Sequence, residues 1–148
     1  MKNLLFVFLV LLWSCSGLEL ITEEQRNVEF IESQNIGKDI AFDKALEWIA
    51  INFNSANDVI QLKDKETGIL VVQAVFSYPY DILGSITETV GYTMTIRLKE
   101  DKIKFEFKTK NLLTGFPPQK GDLQKINNNY LTIKNEILTA LNKEDTDF

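Results

Sequence analysis

The chain has no histidine and only one cysteine among its 148 residues. Without histidine there is no Ser-His-Asp triad, no Cys-His pair, no HExxH helix and no imidazole ligand set, so the commonest general base and the commonest metal ligand are both missing. With one cysteine there is neither an intrachain disulfide nor a cysteine-rich zinc cluster, and the core has to hold the fold unaided. No metal and no cofactor is expected. Cations are outnumbered, 16 Lys and Arg against 21 Asp and Glu for a net charge of −5, which is the wrong field for phosphates and argues against a nucleic-acid partner. Three prolines and seven glycines leave no Pro- or Gly-rich linker, and no internal repeat or low-complexity tract is visible. One domain is expected.

What is present begins at the N-terminus. Lys2 supplies a positive charge and Leu4 to Trp13 form an apolar run of about ten residues, the length of a signal-peptide core. A spanning helix needs about twenty. The run ends in Leu12-Trp13-Ser14-Cys15, which resembles the lipobox of bacterial lipoproteins: an aliphatic residue three positions before the cysteine and a small one directly before it. Trp13 is bulkier than the usual occupant of its place. The resemblance implies cleavage after Ser14 and a diacylglyceryl group on the Cys15 sulfur. Several acyl chains hold a protein to a membrane far more firmly than one. The alternative is ordinary secretion, with cleavage before Gly17 and a soluble secreted or periplasmic product. The expected organisation is a signal peptide over 1–14, a tether over 15–25, a single domain over 26–142 and a tail over 143–148.

Period-two alternation marks a strand over Arg26 to Ser33. Asp39 is placed to cap a helix running to about Asn54, with Phe42, Ala45, Leu46, Ile49 and Phe53 on one face and Trp48 at its border. Asp58 to Lys63, the turn Asp64 to Gly68 and Ile69 to Tyr78 read as two strands joined by a glycine-ended turn. A loop over Pro79 to Thr87 leads to Glu88 to Lys99. There Val90, Tyr92, Met94, Ile96 and Leu98 alternate with Gly91, Thr93, Thr95 and Arg97. Lys102 to Lys110 alternate in the same way, with Ile103, Phe105 and Phe107 inward. Asp122 is placed to cap a last helix striped by Leu123, Ile126, Tyr130, Ile133, Ile137, Leu138 and Leu141. The order is strand, helix, four strands, helix. This predicts an α+β two-layer sandwich, an antiparallel sheet with two helices on one face.

The segments AFDKALEWIAINFNSANDVIQLKDKETGILVVQAVF and GYTMTIRLKEDKIKFEFK resemble an uncharacterised family of bacterial envelope proteins, a domain of unknown function with a fold like the TATA-binding protein. The resemblance covers residues 26 to 113 and rests on structural pieces: Leu46-Glu47-Trp48, Asp58 to Gln61, Asp64 to Gly68, and Tyr92 to Ile96 with its charged hairpin. It implies the TBP-like fold and no assigned site or activity. The loop from Pro79 to Thr87 looks longer than the family's usual connection.

Candidate binding residues follow from exposure and charge. Tyr78-Pro79-Tyr80 reads as an aromatic loop open to a partner. Arg97, Lys99, Lys102, Lys104, Lys108 and Lys110 make one hairpin locally cationic, suited to an anionic lipid, a glycan carboxylate or an acidic protein surface. The competing reading is a solvated face whose lysines protect an edge strand. Gly91 within a strand marks a bulge or bend. The expected function is a non-catalytic binding or scaffolding module of the cell envelope, lipid-anchored through Cys15 on the outer membrane or the periplasmic face. Its partners would be the membrane and an envelope protein, glycan or anionic lipid. The alternative is a small carboxylate-dependent hydrolase acting on envelope glycans, for which Glu29 with Glu32, or Asp58 with Asp64, are conceivable acid pairs.

Overall fold

A computed structural model describes residues 20–53, 55–79, 86–113, 115 and 118–143. The expected signal peptide and tether residues 15–19, Cys15 among them, lie outside the described residues, as do Tyr80 and the end of the tail. After a 3-10 turn at Glu24–Arg26 come β1 (Asn27–Ser33), α1 (Lys38–Asn52), a single-turn α2 (Ala56–Val59), β2 (Ile60–Asp64), β3 (Ile69–Pro79), β4 (Thr87–Leu98) and β5 (Lys102–Leu112). A second 3-10 turn at Lys120–Asp122 leads into α3 (Leu123–Asn142). The five strands form one sheet in the order β1-β5-β4-β3-β2, antiparallel throughout. Strands β2 to β5 are a run of hairpins, whereas β1 pairs with β5 at the opposite edge from β2. The chain between β1 and β2 therefore crosses the whole sheet, and α1 makes that crossing.

Alternation decides which face is covered. Val90, Tyr92, Met94, Ile96 and Leu98 of β4, with Ile103, Phe105 and Phe107 of β5, are buried in one core with Ala41, Phe42, Ala45 and Ile49 of α1 and Ile126, Tyr130, Ile137 and Leu141 of α3. Both helices thus lie on the same face, and burial of their apolar stripes is what docks them. At the core's centre Tyr130 stacks on Phe107 with ring centroids 4.5 Å apart, while Tyr92 and Phe76 lie 5.5 and 5.9 Å from the Tyr130 ring. Lys134 is nearly buried on α3. Its ammonium meets Glu32 of β1 at 2.5 Å and lies over the Phe30 ring, which ties the last helix to the edge strand.

Three local details differ from the sequence reading. Asp39 lies one residue inside α1, and the Lys38 N–H at its start donates instead to the Glu100 carboxylate of the β4–β5 turn at 3.3 Å. A negative group from a distant turn supplies the favourable charge at the helix start. Asp58 falls in α2, where the Ser55 carbonyl accepts both the Asp58 and Val59 N–H groups; β2 begins only at Ile60. Asp122 precedes α3 but makes no side-chain cap on it. Its carboxylate instead accepts from the Gln119 N–H at 3.2 Å and closes the 3-10 turn one step earlier. At Gly91 the β4–β5 register shifts, with Val90 opposite Leu112 and Tyr92 opposite Thr109, the bulge that a glycine in a strand suggests.

Candidate functional site

The side chains between the buried positions point to the face that no helix covers. The register brings Arg97 opposite Lys104, Thr95 opposite Glu106 and Thr93 opposite Lys108 on β4 and β5, and adds Glu29 opposite Glu106 and Asn27 opposite Lys108 from β1. Like charges therefore face each other directly, and the opposite charges meet on the diagonals. Glu106 receives the Arg97 Nε–H at 2.7 Å and the Lys104 ammonium at 3.0 Å, and Lys104 also reaches Glu29 at 3.1 Å. Lys110 donates to Gln73 of β3 at 2.9 Å. The hairpin read as cationic is thus balanced at Arg97 and Lys104 by carboxylates. Glu29 reaches the patch only because β1 pairs with β5, a long-range contact invisible in the local sequence. Lys108 sits on the same face beside Asn27 and Thr93.

These side chains frame an open depression of about 420 Å³, lined by Asn27, Glu29, Thr93, Thr95, Arg97, Glu106 and Lys108. Glu106 and Lys108 of the middle strand β5 lie between Asn27 and Glu29 of β1 and Thr93, Thr95 and Arg97 of β4, so it offers donors and acceptors rather than one dominant charge. A larger groove of about 1080 Å³ runs between α1 and α3 past Trp48, Asn52, Asn135, Glu136, Leu138 and Lys143. Among the described residues Glu136 is the one acid in its lining.

The electrostatics predict a pH response. The Arg97 guanidinium, helped by Lys104, holds the Glu106 carboxyl below its ordinary value of 4.5. A carboxylate depressed in the folded state binds its proton less readily there than in the unfolded chain. Its stabilisation is therefore present above 4.5 and lost as pH falls through the folded value. Lys104 is held above 10.5, chiefly by Glu106 and then Glu29, so its own contribution is present below that value and fades only as pH rises past it. Urea unfolding followed from about pH 6 down to about pH 3 should show a shallower loss of stability in Glu106→Gln than in the native chain.

The acid pairs considered for hydrolysis are not brought together. Glu29 pairs with Lys104 on the open face, while Glu32 bonds Lys134 on the helix face. Asp58 lies in α2, and the Asp64 pKa is lowered by hydrogen bonds from Thr67, first from its side chain and then from its N–H, which lies 3.1 Å from the carboxylate. Among the described residues the two carboxyls that move, Asp64 and Glu106, both move down, the reverse of what a glycosidase acid needs. Burial pushes the Tyr130 phenol up to about 12 and raises Tyr92 as well, so both stay protonated. No group of three or more His, Cys, Asp or Glu side chains able to hold a metal ion exists among the described residues.

Tyr78 is not an exposed aromatic. It lies at the end of β3 with 6% of its surface accessible, 6.1 Å from the Phe76 ring, with the Lys125 ammonium 5.4 Å above its own. The inward alternation Leu70, Val72, Ala74, Phe76, Tyr78 carries Tyr78 into the core as the last inward residue of the strand expected over Ile69 to Tyr78, rather than into an aromatic loop with Pro79 and Tyr80. The pairing of Glu29 and Glu106 with the cationic hairpin was missed for lack of any comparable local signal.

A family model described as a domain of unknown function (DUF4468) with TBP-like fold matches residues 28–111, more than half of the chain and within two residues of the span read from the sequence. No curated protein matches. Solved structures give the same fold. A DUF4468 family protein from Bacteroides ovatus superposes with a TM-score of 0.53 at 12% identity, covering 87% of this chain and 94% of that one. A TBP-like protein from Parabacteroides distasonis gives a TM-score of 0.55 at 13% identity, covering 84% of this chain and 99% of that one. At these identities the likeness concerns the fold. The sheet order, the two helices on one face and the matched span lead to one assignment: the chain belongs to the DUF4468 family, a domain of unknown function with a TBP-like fold.

Proposed function

We propose that this chain is a non-catalytic binding module of the cell envelope, held at the membrane by a lipid on Cys15, that presents the open face of its sheet to an envelope protein or glycan. One observation carries the reading. Two helices cover a single face of a five-stranded sheet, and the uncovered face holds a depression bordered by Asn27, Glu29, Arg97, Glu106 and Lys108. Such a surface suits hydrogen bonding to a polar, extended partner. An anionic lipid headgroup fits it less well, because Glu106 and Glu29 already engage Arg97 and Lys104. The same neutralisation, with the net charge of −5, sets DNA aside. The hydrolase alternative gains no support from the acid pairs, since Glu29 and Glu32 occupy opposite faces of β1.

Thr93→Trp tests this reading by filling the depression. Thr93 is only half-buried on the open face, so stability should change by no more than about 0.5 kcal/mol. Crosslinking in intact envelopes should then lose the adduct that the native protein forms, whereas Thr139→Trp in the helix groove should keep it. The same adduct at the same yield from Thr93→Trp and the native chain would argue that the open face is not the contact.

A further inference from the structure

We infer that the domain rests on the bilayer through one end of its sheet, where Leu20, Ile86 and Leu113 form an apolar contact surface; the inference builds on the lipid anchor proposed for Cys15. The register identifies this end. There β1 starts, with Asn27 opposite Lys108; β3 ends and β4 begins, with Pro79 opposite Thr87; and β5 finishes at Leu112. The Leu113 N–H donates to the Thr89 carbonyl at 3.0 Å, and Lys125 near the start of α3 donates to the Pro79 carbonyl at 2.8 Å. The entering chain is fastened to the same end. Leu20 bridges Gln119, the Ile21 N–H donates to the Pro118 carbonyl at 3.2 Å and the Ile21 side chain is buried. Arg26 bonds Asn111 at 3.0 Å just beyond.

Three large aliphatic side chains stand exposed at this end, Leu20 at 53%, Ile86 at 54% and Leu113 at 72%. The opposite end, formed by the β2–β3 and β4–β5 turns, presents Lys65, Glu66, Lys99, Glu100, Asp101 and Lys102, all exposed. Glu23, Glu24 and Lys120 are exposed near the entering chain as well, so the aliphatic trio is an apolar patch within a polar border at this end of the sheet, whereas the turns at the opposite end present charged side chains.

Chain length selects the bilayer as the occupant of the apolar patch. Five residue steps separate Cys15 from Leu20, and at full extension they span at most about 18 Å. The twelve residues of β4 run about 40 Å from one end of the sheet to the other. A tether shorter than half the sheet, fixed at the end that carries this patch, holds that end next to the lipid into which the acyl chains insert. At that distance the effective concentration of bilayer is high, so a small aliphatic surface suffices to settle on it. Exposed aliphatic side chains placed there gain by entering the interface.

The test uses the full-length lipidated protein in vesicles of phosphatidylethanolamine and phosphatidylglycerol containing a spin-labelled quencher lipid. A fluorophore is attached at Leu113→Cys or, at the charged end, at Glu100→Cys. The acylated Cys15 sulfur is a thioether and takes no label. The label at position 113 should be quenched several-fold more strongly than that at position 100, and Leu20→Ser with Ile86→Ser should erase most of the difference. Equal quenching at both positions, in a sample whose mass shows the acyl chains and which floats with the vesicles, would overturn the docking while leaving the anchor in place. A sample with an unmodified Cys15 that does not float would overturn the anchor, and the docking with it.

Discussion

Tyr130→Ala should lower the free energy of unfolding by about 4 kcal/mol, read as a shift in urea midpoint by far-ultraviolet circular dichroism. Tyr130 is fully buried on α3. Its ring stacks on Phe107 at 4.5 Å and touches Tyr92 and Phe76 across the sheet, so truncation opens a cavity between the two layers rather than at their rim. Deleting a large aromatic from such a place costs the lost burial and the unfilled space together. The Tyr130 hydroxyl also shares a hydrogen bond of 2.9 Å with Thr109, whose side chain is itself buried. Tyr130→Phe separates the two effects, keeping the ring and leaving the Thr109 hydroxyl without that partner, at a cost of about 1 kcal/mol. Against a domain stability of order 5–15 kcal/mol, the alanine variant loses a large part of the total and the phenylalanine variant little. An alanine variant as stable as the native chain would mean that α3 does not dock through this ring.

Gly68→Ala should cost about 3 kcal/mol by the same measurement, the sum of left-handed strain and a backbone collision. Gly68 closes the β2–β3 turn at φ 72°, and a Cβ there would lie 2.4 Å from the Leu98 carbonyl oxygen. The strand cannot easily yield, because the Leu98 N–H donates to the Gly68 carbonyl at 2.8 Å. Gly115 is the control, at φ 86° with nothing among the described residues within 4 Å of an added Cβ. Gly115→Ala therefore pays the backbone strain alone, about 1–2 kcal/mol. Equal losses in the two variants would show that the close approach of the β2–β3 turn to the end of β4 carries no energy.

Where the physics is local, the sequence is a good guide to this fold. The five alternating apolar residues of β4 are all buried, and the stripe on α3 supplies Ile126, Tyr130, Ile137 and Leu141 to the core. The element order and the two-layer class follow from such patterns, since each face or stripe needs a partner. Contacts between distant segments are a different matter. Nothing in Arg26 to Ser33 shows that this strand joins β5 rather than β2, and that one pairing brings Glu29 to Lys104 and turns a run of cations into a balanced net. The start of α1 is likewise met by Glu100 from across the molecule, which accepts the Lys38 N–H, while Asp39 lies within the first turn. Tyr78 is different in kind. The alternation reached it, but the following proline and tyrosine drew the reading toward a loop, and the strand's hydrophobic face prevailed.

The family assignment and the fold leave the molecule's place in the cell to the expected signal peptide and Cys15. The most direct measurement is the intact mass and detergent partitioning of the native protein beside Cys15→Ser. The account requires a native chain that begins at Cys15, carries diacylglyceryl and acyl mass, and enters the detergent phase, while Cys15→Ser stays unmodified and leaves the membrane fraction. A native chain without added mass, starting near Gly17 and remaining in the aqueous phase, would contradict it and describe a freely soluble secreted or periplasmic domain.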